Sequence, residues 1–157
     1  MHLLFVGDTA VGKSHILHTL SGCNEPYDPK VTISINYKVC NLLNKKYYLW
    51  DLPGSNRLFR VLMLYVKKTF QYNFIVCHIN NEDSIKNIDY YIIKLKNINC
   101  NSNIKYHILI NTFSSVLNDE QNNIISQLRE KFEDKISVIN SFERSSIQTA
   151  LNNILKV

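Results

Sequence analysis

The chain has 157 residues, 45% of them hydrophobic, which suits one globular domain with a single sizeable core and leaves no room for a second domain. Its net charge of +5 comes from scattered lysines, without the aromatic-interleaved basic stripe of a nucleic-acid-binding face. No apolar run approaches the roughly 20 residues that span a bilayer, and the four cysteines show no C-x-x-C spacing, so we expect a cytoplasmic protein with reduced thiols.

The first predicted elements are a strand, a glycine-rich loop and a helix. Leu3-Leu4-Phe5-Val6 is typical of a buried strand, and Ile16, Leu17 and Leu20 recur at helical spacing before Gly22. The segment between them fits the pattern G-x-x-x-x-G-K-[ST], whose backbone N–H groups and lysine bind phosphates and whose serine ligates Mg²⁺. The sequence therefore predicts a nucleoside triphosphate site, with phosphate contacts from Gly7, Asp8, Ala10, Val11, Gly12, Lys13 and Ser14.

The next segments predict a loop and a hairpin. Prolines at 26 and 29 indicate a loop from Cys23 to Lys30, because proline blocks helix formation. Apolar residues then alternate with polar ones, which predicts a strand with one buried face, formed by Ile33, Ile35, Tyr37 and Val39. Residues 41–46 are predicted to form the hairpin turn and Tyr47–Asp51 the returning strand.

The second half predicts strands that alternate with helices. Short apolar runs at Phe74–Ile79, Tyr106–Ile110 and Ile136–Ile139 suit central parallel strands. Each is followed by a helical pattern, the first of them capped by Asn81 and carrying Ile85, Ile88, Ile92 and Leu95 inward. Such alternation predicts an α/β fold with a mostly parallel sheet, helices on both faces and ligands at the carboxyl ends of the strands.

Three segments together resemble the small GTPases of the Ras superfamily, and the Rab branch most closely. They are the phosphate loop, a switch I-like segment Thr32–Tyr37, and Trp50-Asp51-Leu52-Pro53-Gly54, which is similar to the start of switch II; Arg57-Leu58-Phe59-Arg60 resembles the Rab segment after it. The resemblance spans nearly the whole chain. It implies one G domain over residues 1–157, a P-loop NTPase fold with six strands, one of them an antiparallel edge strand.

The resemblance also implies ligands and the residues that hold them. GTP or GDP and Mg²⁺ are the expected cofactors, with Ser14 and Thr32 as direct metal ligands and Asp51 acting through a water. The amide of Gly54 is expected to contact the γ-phosphate. The base-reading positions correspond to Asn111, Thr112, Ser114, Ser141 and Phe142.

Several positions depart from the family pattern. Ser55 stands where a glutamine usually orients the attacking water, and Pro53 replaces an alanine, so we expect hydrolysis to be slow or absent. Asn111-Thr112-Phe113-Ser114 replaces N-K-x-D, Glu25 replaces an aromatic that commonly packs on the base, and Asn140-Ser141-Phe142 replaces an S-A-K-like loop. Guanine preference is therefore not secured, and Phe113 or Phe142 is left as a candidate to stack on a base.

The expected partners are regulators or effectors that contact residues 32–37 and 50–65, with vesicle trafficking as the expected setting. We expect a monomer that binds no nucleic acid. It is expected to reach endomembranes only through partners or through a lipidated tail beyond Val157. Two alternatives stay open: a non-cycling scaffold or interaction module, and a P-loop protein without strict guanine specificity.

Overall fold

A six-stranded sheet organises the computed structural model, which describes residues 1–22, 26–30, 32–42, 44–55, 70–99 and 104–155. The strands are β1 (His2–Val6), β2 (Asn36–Leu42), β3 (Lys45–Asp51), β4 (Tyr72–His78), β5 (Tyr106–Asn111) and β6 (Ile136–Ile139). Their order in the sheet is β2-β3-β1-β4-β5-β6, and every neighbouring pair is parallel except the β2–β3 hairpin. The predicted mostly parallel sheet with one antiparallel edge strand is thus confirmed.

Helices cover both faces of this sheet, as predicted. Because successive strand residues point to opposite faces, Leu3 and Phe5 of β1 join the core on one side and Leu4 and Val6 the core on the other. The helices are α1 (Lys13–Ser21), α2 (Glu82–Lys86), α3 (Ile88–Asn99), α4 (Asp119–Phe132) and α5 (Arg144–Leu155), with a 3₁₀ turn at Glu133–Lys135. Helices α1 and α5 pack on the first side, and α3 and α4 pack on the second. None of the helices in these ranges is long and apolar enough to cross a membrane.

The helix predicted after β4 is two helices. Asn81 caps the first as predicted, since its side-chain oxygen accepts a hydrogen bond from the Ser84 N–H at 3.0 Å. Asn87, with φ −78° and ψ −2°, then ends α2 before α3 begins at Ile88. The apolar spacing hid this break because Ile85, Ile88, Ile92 and Leu95 all pack on the same core despite it.

The edge strand β2 buries the face opposite to the predicted one. Cys40 and Leu42 are buried, whereas Ile33 is 74% exposed, Tyr37 and Val39 are exposed, and the strand begins only at Asn36. A period of two residues fixes the alternation but not which set faces the core. Here the register with β3 pairs Cys40 with the buried Tyr47, next to α1. The hairpin turn is also tighter than predicted, since β2 reaches Leu42 and β3 starts at Lys45.

This face assignment predicts unequal effects of two truncations in β2. Leu42→Ala should lower the free energy of unfolding by about 2–4 kcal/mol, because it leaves a cavity in the core. Val39→Ala, the matched change on the 36% exposed side chain, should cost less than about 1 kcal/mol. Urea unfolding of both variants measures the difference, and a larger loss for Val39→Ala would restore the original face prediction.

Candidate functional site

The loop at residues 7–12 joins the carboxyl end of β1 to α1 and touches two neighbouring strands. Gly7 and Gly12 have φ of 144° and 98°, values that side-chain-bearing residues rarely adopt. A Cβ atom at Gly7 would lie 2.1 Å from the Val76 carbonyl oxygen, and one at Gly12 would lie 2.2 Å from Asn111 Nδ2. Glycine at both positions therefore lets the loop lie directly on the ends of β4 and β5.

Lys13 is a buried cation at the start of α1. Its side chain is folded over the loop, where Nζ donates to the carbonyl oxygens of Gly7 at 3.0 Å and Asp8 at 2.6 Å. Burial lowers its pKa from 10.5 to about 8, although the nearby Asp51 and Asp8 carboxylates oppose the shift. Within the part of the chain that the structure describes, Lys13 forms no ion pair. An anion placed against this loop would relieve the cost of burying the charge.

Three oxygen-bearing side chains meet beside Lys13. The Ser14 hydroxyl donates to Asp51 Oδ2 at 2.5 Å and lies 2.9 Å from Thr32 Oγ1. Asp51 is fully buried, and its Oδ1 atom has no hydrogen-bond partner among the described residues. Burial raises the pKa of Asp51, while its hydrogen bonds with Ser14 and Thr32 and the Lys13 charge lower it. Two hydroxyls and a carboxylate with an unused oxygen fit Mg²⁺, which prefers hard oxygen ligands.

Gly54 brings the segment after β3 onto the loop. A Cβ atom at this position would lie 2.2 Å from the Thr9 nitrogen and 2.4 Å from the Asp8 carbonyl carbon. Only a residue without a side chain allows this approach. The structure thus places together Lys13, Ser14, Thr32, Asp51 and Gly54, which come from three separate stretches of the sequence.

An open cavity of about 600 Å³ extends from this cluster. One end is polar and is formed by the loop, Lys13, Ser14, Thr32 and Gly54; the other end carries rings. Tyr27 connects the two, because its hydroxyl is hydrogen-bonded to Ser14 while its ring stacks on His15 with centroids 4.7 Å apart. The lining residues are Thr9, Ala10, Gly12, Lys13, Ser14, His15, Tyr27, Pro29, Lys30, Thr32, Gly54, Phe113 and Phe142.

Four of the five base-reading candidates lie outside this lining. Asn111 and Ser141 are fully buried and hydrogen-bonded to each other. Thr112 is buried and donates to the carbonyl oxygens of Ser114 and Ile139. Ser114 is exposed and bonds to the backbone of Val116. Of the predicted set, only Phe142 lines the cavity.

Asp8 lines no part of the cavity with its side chain and instead anchors the loop to the break between α2 and α3. Its carboxylate accepts hydrogen bonds from Asn87 Nδ2 at 2.8 Å and from the Tyr91 hydroxyl at 2.9 Å. Val11 is likewise turned into the core and fully buried. The side chains of Asp8 and Val11 thus hold the loop in place, and neither residue lines the cavity.

Sequence reasoning missed His15 and Tyr27 as lining residues. His15 follows Ser14 in the first turn of α1, and its ring lies 4.6 Å from Phe142 and 4.7 Å from Tyr27. Its position directly after the phosphate motif was the available signal. Glu25 and Arg57-Leu58-Phe59-Arg60, which the sequence analysis singled out, lie outside the described residues, as does all of 56–65 within the expected partner surface.

A strand, a glycine loop and a helix follow one another here, and a buried lysine and an oxygen cluster lie at the carboxyl edge of the mostly parallel sheet. This arrangement defines a P-loop nucleotide-binding domain of the Ras-like class. The family model described as "Ras of Complex, Roc, domain of DAPkinase" matches residues 2–114. The chain therefore belongs to the Roc family of Ras-like GTPases, and at this level it is a GTP-binding switch domain of a family that binds GTP or GDP with Mg²⁺. No curated protein matches the sequence.

The packing of the loop predicts that Gly12→Ala destabilises the domain more than Gly22→Ala, a matched change at the other end of α1. The new methyl group would displace the buried Asn111 amide and strain a positive φ, so the free energy of unfolding should fall by more than about 2 kcal/mol. Gly22→Ala, at φ 69° with only a flexible Arg144 side chain nearby, should cost about 1 kcal/mol. Equal urea midpoints for the two variants would contradict the close approach of loop and β5.

Proposed function

We propose that the domain is a Mg²⁺-dependent, Rab-like GTP-binding switch with slow intrinsic hydrolysis, whose output is a partner protein that contacts residues 32–37 and 50–65. The observation that carries the proposal is a juxtaposition at one end of a nucleotide-sized cavity: a buried Lys13, which forms no ion pair with the described residues, lies beside the Ser14–Thr32–Asp51 cluster. Lys13 supplies positive charge for the phosphates, and the cluster supplies oxygen ligands for the metal.

Phosphate binding follows from the loop. Gly7 and Gly12 let the backbone turn tightly at the N-terminus of α1, where N–H groups without intrahelical partners and the helix dipole favour an anion. The Lys13 ammonium would exchange its two carbonyl partners for the β- and γ-phosphate oxygens, a stronger charge-assisted interaction. The Asp8 contacts with Asn87 and Tyr91 would hold the loop in the binding conformation.

The metal site follows from the oxygen cluster. Ser14 and Thr32 would hold Mg²⁺ directly and Asp51 through a water. Burial raises the pKa of Asp51, and the Ser14 hydrogen bond and the Lys13 charge oppose that rise. When bound, the metal neutralises charge on the β- and γ-phosphates. Thr32 belongs to the switch I-like segment and Gly54 to the switch II-like segment. Both segments would therefore be held by contacts with the γ-phosphate and released when it is lost.

Slow hydrolysis is proposed because Ser55, and not a glutamine, directly follows Gly54. Ser55 is exposed and too short to orient a water at the γ-phosphate, while Pro53 is buried and has no N–H to donate. Charge stabilisation by Lys13 would remain without a group that positions the nucleophile.

Partner binding is proposed at the exposed apolar surface beside the phosphate site. Ile33 is 74% and Tyr37 46% exposed, and the Tyr37 ring lies 5.1 Å from that of Trp50. These residues lie within the segments that the γ-phosphate would order, so a protein that binds them would sense the nucleotide. By analogy with Rab proteins, we place this nucleotide-dependent partner binding in vesicle trafficking, in a cytoplasmic protein that its partners recruit to membranes.

A second candidate function is a non-cycling scaffold. Ser55, Pro53 and the diversion of Thr112 and Ser114 to local hydrogen bonds favour it, because hydrolysis and base reading would both be weakened. The phosphate and metal residues oppose it, since a permanent scaffold has no need of them.

Triphosphate binding is tested by calorimetry with GTP and Mg²⁺ on protein stripped of nucleotide. Lys13→Ala should lower the affinity at least about 100-fold, because it removes charge-assisted contacts worth about 1.5–3 kcal/mol each. Lys86→Ala, an exposed lysine paired with Glu82 on α2, is the matched control and should leave the affinity unchanged. Equal binding by wild type and Lys13→Ala would refute the phosphate-loop assignment.

Hydrolysis is tested by single-turnover assays of Ser55→Gln. Restoring the water-orienting amide should raise the rate by about 10–100-fold, because positioning of the nucleophile is the missing contribution. Ser55→Met, of similar length without hydrogen-bonding groups, should leave the rate at the wild-type value. If both variants behave alike, the serine is not what slows the reaction.

A further inference from the structure

The aromatic end of the cavity lacks the groups that distinguish guanine from other bases. The Watson–Crick edge of guanine presents N–H donors at N1 and N2, which a carboxylate accepts best. None of the described residues that line the cavity is an aspartate or glutamate. The lining instead offers the rings of His15, Tyr27, Phe113 and Phe142.

Asn111 has no hydrogen-bonding capacity left for a base. Its Nδ2 group donates to the Val11 carbonyl at 3.0 Å and to Ser141 Oγ at 3.1 Å, which uses both of its hydrogens. Its Oδ1 atom accepts from the Ser141 N–H at 3.1 Å and from the Phe113 N–H at 3.4 Å. A base could bond to this amide only by breaking a buried bond between the loop and β5.

The backbone donors beside the cavity are also engaged. The Ser141 N–H is held by Asn111, and the Phe142 N–H donates to Asn140 Oδ1 at 3.1 Å. Ser114, at the position of the family's guanine-reading aspartate, is directed to Val116 and does not line the cavity. Base-edge recognition therefore has no free partner in the Asn111 amide, the Ser114 hydroxyl or the N–H groups of Ser141 and Phe142.

One ring, in contrast, is exposed and available to a flat group. Phe142 is 65% exposed although its ring contacts Phe113 at 5.4 Å and His15 at 4.6 Å between centroids, at interplanar angles of 56° and 69°. Phe113 adopts φ 51°, a conformation unfavourable for phenylalanine, and its ring packs against Gly12 and His78. An exposed ring that lines a phosphate-binding cavity offers stacking, which every base can accept.

We propose that this site recognises nucleotides by phosphate and metal and holds the base by stacking on Phe142, so that GTP and ATP bind with similar affinity. The inference rests on the proposed triphosphate site and defines its substrate class as nucleoside triphosphates without a requirement for guanine. Phe142 sets this tolerance, and Phe113 and His15 pack against its ring.

The test is calorimetric titration of the nucleotide-free full chain with Mg²⁺ and GTP, ATP or inorganic tripolyphosphate. The dissociation constants for GTP and ATP should agree within about threefold, and tripolyphosphate should bind at least about fivefold more weakly, because one base–aromatic stack is missing. A preference for GTP above tenfold would overturn the inference and leave the proposed switch intact. If none of the three binds, the proposed triphosphate site fails and the inference with it.

Variants of Phe142 separate stacking from general packing. Phe142→Ala should weaken GTP and ATP by the same factor, about fivefold or more, and leave tripolyphosphate unchanged. Phe142→Trp should retain binding of both nucleotides, and Val116→Ala, at a residue 80% exposed in the same region, should have no effect. Since Phe142 is exposed, folding should tolerate these changes, and thermal melting verifies it. Undiminished nucleotide affinity in Phe142→Ala would overturn the stacking assignment.

Discussion

The hydrogen bonds of the Asn111 side chain hold the two ends of the site together. This fully buried amide joins the phosphate loop at Val11, the end of β5 at Phe113 and the loop after β6 at Ser141. Every buried polar group needs a partner, and here each partner belongs to a different segment. One side chain therefore links the glycine loop, the backbone at Phe113 and the segment that precedes α5. Gly12 has to be glycine for the same reason, because the amide occupies the space that a Cβ would need.

The phosphate end of the site was predictable because its residues are nearly contiguous. One eight-residue motif specifies the turn, the buried cation and the first hydroxyl, and the strand and helix around it have unambiguous apolar patterns. Thr32 and Asp51 were reachable through the family resemblance, and the structure brings both within contact of Ser14. The sheet and its helical layers followed from the alternation of strands and helices.

The aromatic end was much harder to predict, because separate segments build it: the first turn of α1, residues 26–30, and the loops after β5 and β6. Sequence places residues on these segments but does not say which side chains turn toward one another. Asn111 shows the difficulty, since an asparagine at the family's base-reading position is here fully used within the protein. The inverted face of β2 has a related origin. Strict alternation is symmetric, and only pairing with β3 and contact with α1 decide which side is buried.

The anchoring of Asp8 couples the glycine loop to two helices, α2 and α3, from which no described residue lines the cavity. Two hydrogen bonds, from Asn87 and Tyr91, join the loop to the point where α2 gives way to α3. Tyr91 is itself buried in the core beneath the sheet, and burial and the contact with Asp8 both raise its pKa, so this hydroxyl stays a donor at any physiological pH. The loop cannot shift without either losing both bonds or carrying the first turn of α3 with it. A substitution at Asn87 or Tyr91 would therefore loosen the glycine loop and weaken the binding of a nucleotide placed against it.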